Sequence, residues 1–82
     1  MKIVYFAALR TTIGREEEAM TPPPHVLTIG DLMTWLATLS DAHRRAFSRP
    51  SIQVAADCQY VDKDHRLHGV KEVAFFPPVT GG

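Results

Sequence analysis

The residues best placed to do chemistry lie together at the end of the sequence, in Phe75-Phe76-Pro77-Pro78-Val79-Thr80-Gly81-Gly82. Pro77 and Pro78 offer no backbone N–H to a sheet and hold φ near −65°, so they take the chain off a preceding strand in a stiff, extended form. Fully extended, residues 77–82 reach about 20 Å at ~3.3 Å per residue, far enough to enter another protein. Gly81 and Gly82 put no Cβ beside the α-carboxylate, so the end fits a narrow channel and its carbonyl is open from either side. The reactive group is then the C-terminal carboxylate itself. With a reference pKa of about 3.5 it is ionised and inert at neutral pH, and a partner must activate it before any acyl chemistry. The opposing expectation is a frayed end, since glycine-rich termini are commonly disordered. A frayed end gives no reason for the apolar run before it.

Other chemistries find less support. The five glycines, at 14, 30, 69, 81 and 82, do not cluster before a helix, so neither a P-loop nor a dinucleotide fingerprint is present. His65 and His68 could join Cys58 or Asp64 at a metal, but two further ligands at familiar spacings are missing, and no metal site is expected. Asp62 and Asp64 lack the glycine and the closing glutamate of a calcium loop and read as a polar turn. No serine sits in a G-x-S-x-G elbow, and Cys58 reads as a bystander at a turn or edge.

Composition narrows the class. In 82 residues, 45% are hydrophobic and 22% charged, nine basic against nine acidic, for a formal charge of zero. A chain this long buries only about 60% of the surface its unfolded form exposes, so one sheet and one or two helices nearly exhaust the core. A single cysteine excludes an intramolecular disulfide and suits a reducing compartment. No apolar run approaches the ~20 residues of a membrane span, and no signal-type segment opens the chain, so a cytoplasmic location is expected. The pI near 6.9 carries no footprint for nucleic acid, and Arg44, Arg45 and Arg49 form the one basic cluster.

The elements that must position the C-terminal segment follow from patterning. Residues 2–7 (KIVYFA) read as a strand with Ile3, Tyr5 and Ala7 on one side and Val4 and Phe6 on the other. Residues 9–21, with Gly14 and three consecutive glutamates, read as a solvated loop that ends at Pro22-Pro23-Pro24. His25, Val26 and Leu27 can supply a short second strand. Thr28, with Asp31 three residues on, then caps a helix whose apolar stripe is Ile29, Leu32, Met33, Leu36 and Leu39. Residues 41–47 read as a short second helix, and 51–56, 59–61 and 72–76 as strands. The last strand is apolar on both faces, with Val73 and Phe75 on one and Ala74 and Phe76 on the other. One helix covers only one face of a sheet, which leaves the other open to a partner. The order predicts an α+β fold, a mixed sheet of four to five strands packed on one main helix.

The ending FFPPVTGG, the opening YFAALR at residues 5–10 and the Thr28-led helix together resemble the small-subunit family of molybdopterin synthase, ubiquitin-like sulfur carriers. That resemblance implies a β-grasp domain over residues 1–76 and an extended tail over 77–82. It implies that an E1-like activating enzyme adenylates the Gly82 carboxylate with ATP, and that a sulfur donor converts it to a thiocarboxylate. The tail then enters the large synthase subunit, where the sulfur passes to cyclic pyranopterin monophosphate in molybdenum cofactor biosynthesis. By position, Gly82 carries the sulfur and Gly81 gives access, while Pro77, Pro78, Val79 and Thr80 line the partner channel. Phe75 and Phe76 seat the strand at the interface, and Arg10 contacts the activating enzyme. The chain itself binds no cofactor, the catalytic side chains belong to the partner, and the complex is a two-plus-two heterotetramer. The sequence departs from the family pattern at Pro22-Pro23-Pro24, at Asp57-Cys58 and at Gly69-Val70-Lys71-Glu72. A Gly-Gly end also fits a thiamine-type sulfur carrier, a ubiquitin-like protein modifier, or an interaction module with an inert tail.

Overall fold

A computed structural model describes residues 1–78. Along the chain run β1 (Lys2–Tyr5), α1 (Ala7–Ile13), β2 (Glu17–Ala19), α2 (Ile29–Leu36), α3 (Asp41–Phe47), β3 (Gln53–Ala56), β4 (Gln59–Val61) and β5 (Glu72–Phe76). The strands form one sheet in the order β2-β1-β5-β3-β4. The central pair, β1 and β5, is parallel, with Ile3 opposite Val73 and Tyr5 opposite Phe75; the other pairings are antiparallel. This is the α+β arrangement that the order of elements predicts, and it is the β-grasp that the resemblance implies.

Ile3, Tyr5, Val54, Val73 and Phe75 project from one face of the sheet into a single core. Leu9 of α1, Ile29, Leu32 and Leu36 of α2, and Ala46 of α3 close it from the other side. The layer over the sheet is therefore three short helices, where one main helix is expected. Two local features divide it. The Leu39 end of the predicted stripe is not helical, because the Thr38 hydroxyl donates to the Trp35 carbonyl at 2.6 Å and the chain turns there, leaving Leu39 40% exposed. Ser40 then restarts the helix, its hydroxyl accepting from the His43 N–H at 3.1 Å.

Two expectations for the first third of the chain are overturned. Residues 7–13 form α1, where Ala7 is expected to end a strand and residues 9–21 to form a loop. Leu9 packs into the core, and Gly14, at φ 82°, ends the helix by donating to the Arg10 carbonyl at 2.8 Å. The second strand is the glutamate run at Glu17–Ala19, while Val26 and Leu27 follow a turn at Pro24-His25 outside any strand; the Leu27 carbonyl accepts from the Leu67 N–H at 2.9 Å and Thr28 bridges to Arg66. The run is not simply solvated, because register puts Glu18 opposite Ile3 on the core side. There its carboxylate accepts the Tyr5 hydroxyl at 3.0 Å and meets His43 Nε2 at 2.7 Å. Burial, and then this hydrogen bond to a carboxylate, push the Tyr5 phenol well above its usual range.

The start of α2 forms as the sequence predicts. Thr28 Oγ1 accepts from the Asp31 N–H at 3.1 Å, and Asp31 accepts from the Leu27 and Thr28 N–H groups at 3.1 and 3.3 Å. The Ile29 and Gly30 N–H groups are met by the His65 and Lys63 carbonyls, both at 2.9 Å. The polar turn around Asp62 thus finishes the helix end, and Asp62 itself accepts from the Asp64 N–H. The hydrogen bond from Leu27, followed by those from Thr28, holds the Asp31 carboxyl below the usual range.

Between β3 and β4 the chain reverses on Asp57 and Cys58, both at positive φ (46° and 70°). Asp57 also accepts from the Lys71 and Glu72 N–H groups at 3.1 and 3.0 Å, tying the hairpin to the start of β5. Cys58 has no such second role and occupies a backbone region that suits glycine.

Two outcomes are expected from these local structures. Cys58→Gly raises stability by about 0.5–1 kcal/mol, because it relieves a left-handed non-glycine residue in a tight hairpin; denaturant unfolding measures it. The Asp31 contribution is full above the ordinary carboxylate pKa and disappears as pH falls through its depressed folded value. Asp31→Asn should therefore lower stability at neutral pH and flatten the acid limb of stability against pH.

Candidate functional site

Strand alternation that sends Ile3, Tyr5, Val73 and Phe75 inward sends Val4, Phe6, Ala74 and Phe76 to the opposite face. None of the helices that build the core lies over that face. Register places Val4, Ala74, Ala55 and Tyr60 in one row across β1, β5, β3 and β4. Because the middle of the row is two alanines, the surface sinks into a groove of about 300 Å³. Phe6 and Phe76 stack at one end of it, with ring centroids 4.6 Å apart and planes 10° from parallel. Tyr60, 72% exposed, stands on the β4 side with its ring 5.9 Å from that of Phe76. At the other end lie Cys58 and Glu72.

The charged end is shared among three side chains. Lys2 Nζ lies 3.3 Å from Glu17 and 3.7 Å from Glu72, and the hydrogen bond and charge of Glu17, before those of Glu72, raise its pKa. Two carboxylates thus divide one ammonium.

The parallel β1–β5 pair sets where everything leaves the sheet. Both strands end at the same edge, so the start of α1 and the departure at Pro77 are neighbours, joined by the Phe6 N–H donating to the Phe75 carbonyl at 3.1 Å. α1 packs on the end of β5, and Arg10 is exposed on its outer side beside Thr11, Gly14 and Arg15.

Of the residues the sequence singles out, Phe76 and Pro77 adjoin the groove end, and Arg10 stands on the same end of the fold. Pro78 follows, exposed. Phe75 is placed differently from its neighbour. It is fully buried and packs edge-on against Phe47 with centroids 5.0 Å apart, so it holds β5 in the core and presents no side chain to the open face. Val79, Thr80, Gly81 and Gly82 lie outside the described residues. Sequence reading did not assign Val4, Phe6, Ala55, Tyr60 or Glu72 to a site. Their signal was the shared parity of Val4, Phe6, Ala74 and Phe76, and only the hairpin register adds Ala55 and Tyr60 to it.

A second polar cluster resembles a nucleophile, base and acid in series. Ser40 Oγ is 2.7 Å from His43 Nδ1, and His43 Nε2 is 2.7 Å from Glu18. The Ser40 hydroxyl is already the N-cap of α3, and Glu18 also takes the Tyr5 proton donor, so the cluster fastens β2 to α3. Among the described residues no group of three or more His, Cys, Asp or Glu side chains could hold a metal, and no helix is long and apolar enough to cross a membrane.

Comparison with known proteins agrees with this geometry. Residues 3–82 match the ThiS family. The molybdopterin synthase sulfur carrier subunit of Escherichia coli (strain K12) is 36% identical over 84 residues, covering all of this chain and 99% of that protein. The protein of the same description from Mycosarcoma maydis is 30% identical over 86 residues, covering all of this chain and 92% of the relative. In fold, the chain is similar to the crystal structure of SAMP1 from Haloferax volcanii, with a TM-score of 0.72 at 24% identity over 100% of this chain and 98% of that one.

The two phenylalanines separate in a stability measurement. Phe75→Ala should cost about 3–5 kcal/mol as a core cavity. Phe76→Ala should cost less than half of that, its ring being stacked on an open face.

Proposed function

We infer, because the chain belongs to the ThiS family, that it is the sulfur-carrier subunit of a molybdopterin synthase, with the transferred sulfur held as a thiocarboxylate on Gly82. The observation that carries this reading is the match, over the whole chain, to two relatives of that description. The apolar face that continues into Pro77 supports it, because a carrier must dock on its enzymes while its end reaches their active sites.

In this reading the chain divides its work between residues 1–76, which dock, and residues 77–82, which deliver. ATP is used by an E1-like activating enzyme. The Gly82 carboxylate attacks the α-phosphate, pyrophosphate leaves, and the acyl adenylate forms. A sulfide-level sulfur nucleophile delivered by a donor attacks the acyl carbon, AMP leaves, and Gly82 carries the thiocarboxylate. Pro77 and Pro78 stiffen the departure from β5, Val79 and Thr80 fill the partner channel, and Gly81 lets the channel close around the backbone. In the large synthase subunit the sulfur passes to cyclic pyranopterin monophosphate. The chain contributes the acyl carrier, the partner contributes the catalytic side chains, and no cofactor is bound by the carrier itself. The reaction belongs in the cytoplasm, in a two-plus-two complex, and Arg10 meets the activating enzyme.

The intact mass tests this directly. Incubation with ATP, the cognate activating enzyme and a sulfur source should add about 16 Da at the C-terminal peptide, one oxygen exchanged for sulfur on a carboxylate that is inert until activated. Deleting Gly82 should abolish sulfur transfer to the pyranopterin while leaving the unfolding midpoint unchanged. A mass gain that never appears, with ATP-dependent attachment of the chain to lysines of other proteins in its place, would establish a protein modifier instead.

A further inference from the structure

The groove on the open face has one charged wall, and that decides what fits it. Its floor is Ala55 and Ala74, its aromatic rim is Tyr60 and Phe76, and its far end is lined by Glu72, whose carboxylate also meets Lys2. The Glu72 side chain is 35% exposed, and its ammonium partner Lys2 lies 3.7 Å away while standing closer, at 3.3 Å, to Glu17. A purely apolar side chain seated here would strip water from Glu72 and leave it with half a counter-ion, which is costly. A side chain with a long aliphatic stem and a planar cation meets all three walls. The stem lies along the alanines beside the aromatic rim, and the guanidinium at the far end donates its N–H groups to the carboxylate.

We propose that the groove of Ala55, Ala74, Tyr60, Phe76 and Glu72 receives an arginine side chain from the large synthase subunit. The identity of that partner rests on the functional reading above. The groove opens beside Phe76, where the chain leaves the sheet for the tail, so a subunit holding the tail also covers the groove. The role of Lys2 follows: it neutralises Glu72 in the free carrier and yields to the incoming cation in the complex.

The test is titration calorimetry of the carrier with the purified large subunit from the same organism, with circular dichroism confirming that each variant is folded. Glu72→Gln should weaken binding about tenfold, the scale of one charge-assisted hydrogen bond. Ala74→Leu, which fills the floor, should weaken it at least as much. Lys2→Met removes the competing ammonium and should tighten binding, whereas a merely structural Lys2–Glu72 pair would make it looser. Weakening by Ala74→Leu with Glu72→Gln unchanged would replace the arginine with an apolar side chain and overturn the proposal. Binding unaffected by both would overturn the groove as a contact. A wild-type carrier that does not bind the large subunit at all, yet gains the thiocarboxylate mass, would remove the partner while sparing the sulfur-carrier chemistry. A carrier that does neither would overturn the functional reading itself.

Discussion

The parallel pairing of β1 with β5 at the centre of the sheet is the constraint on which the rest depends. It joins residues about 70 apart in sequence, so its loop-closure entropy is met only when the intervening segments pack as well. In return it brings the first strand and the last to the same edge, and α1 begins where β5 ends. The Phe6–Phe76 stack and the hydrogen bond from Phe6 to Phe75 both exist because of that shared edge. Antiparallel pairing would place the start of α1 at the opposite end from the departing chain.

From this pairing comes a division of labour between alternate residues. Phe75 and Phe76 are chemically identical neighbours, yet one is sealed in the core against Phe47 and the other lies on an open face against Phe6. The core side is closed by three short helices and by a polar fastening, in which Glu18 takes hydrogen bonds from Tyr5 and His43 at the sheet edge. A charged edge strand of this kind also blunts pairing with other chains, which suits a protein that keeps an apolar face uncovered. The open face is kept concave by two alanines and bordered by aromatic rings and one carboxylate. A flat apolar face would bind many surfaces; a groove with a charge at one end selects among them.

How far the sequence could be read varies with the origin of each feature. The capping box of Thr28 and Asp31 depends on residues three apart and appeared as patterned. The Asp41–Phe47 helix and the strands at Gln59–Val61 and Glu72–Phe76 also follow from local patterning. Local patterning does not show α1, because at seven residues it is too short to stand on propensity and is held by packing on α3 and the sheet. The strand at Glu17–Ala19 was hidden for a related reason. A glutamate run looks solvated until Tyr5 and His43, 13 and 25 residues away from Glu18, supply its partners.

What the sequence determined by itself is the two-faced character of the last strand and its end at Pro77, because both are properties of neighbouring residues: an apolar pair of opposite parity and two prolines that must leave a sheet. What only the tertiary structure decided is which face is left open and how it is shaped. The groove is made by residues 4, 6, 55, 58, 60, 72, 74 and 76, on four strands and the residues that flank them. Their meeting depends on strand order and register, which no single segment encodes, since register is set only when one face of every strand is buried against the same core.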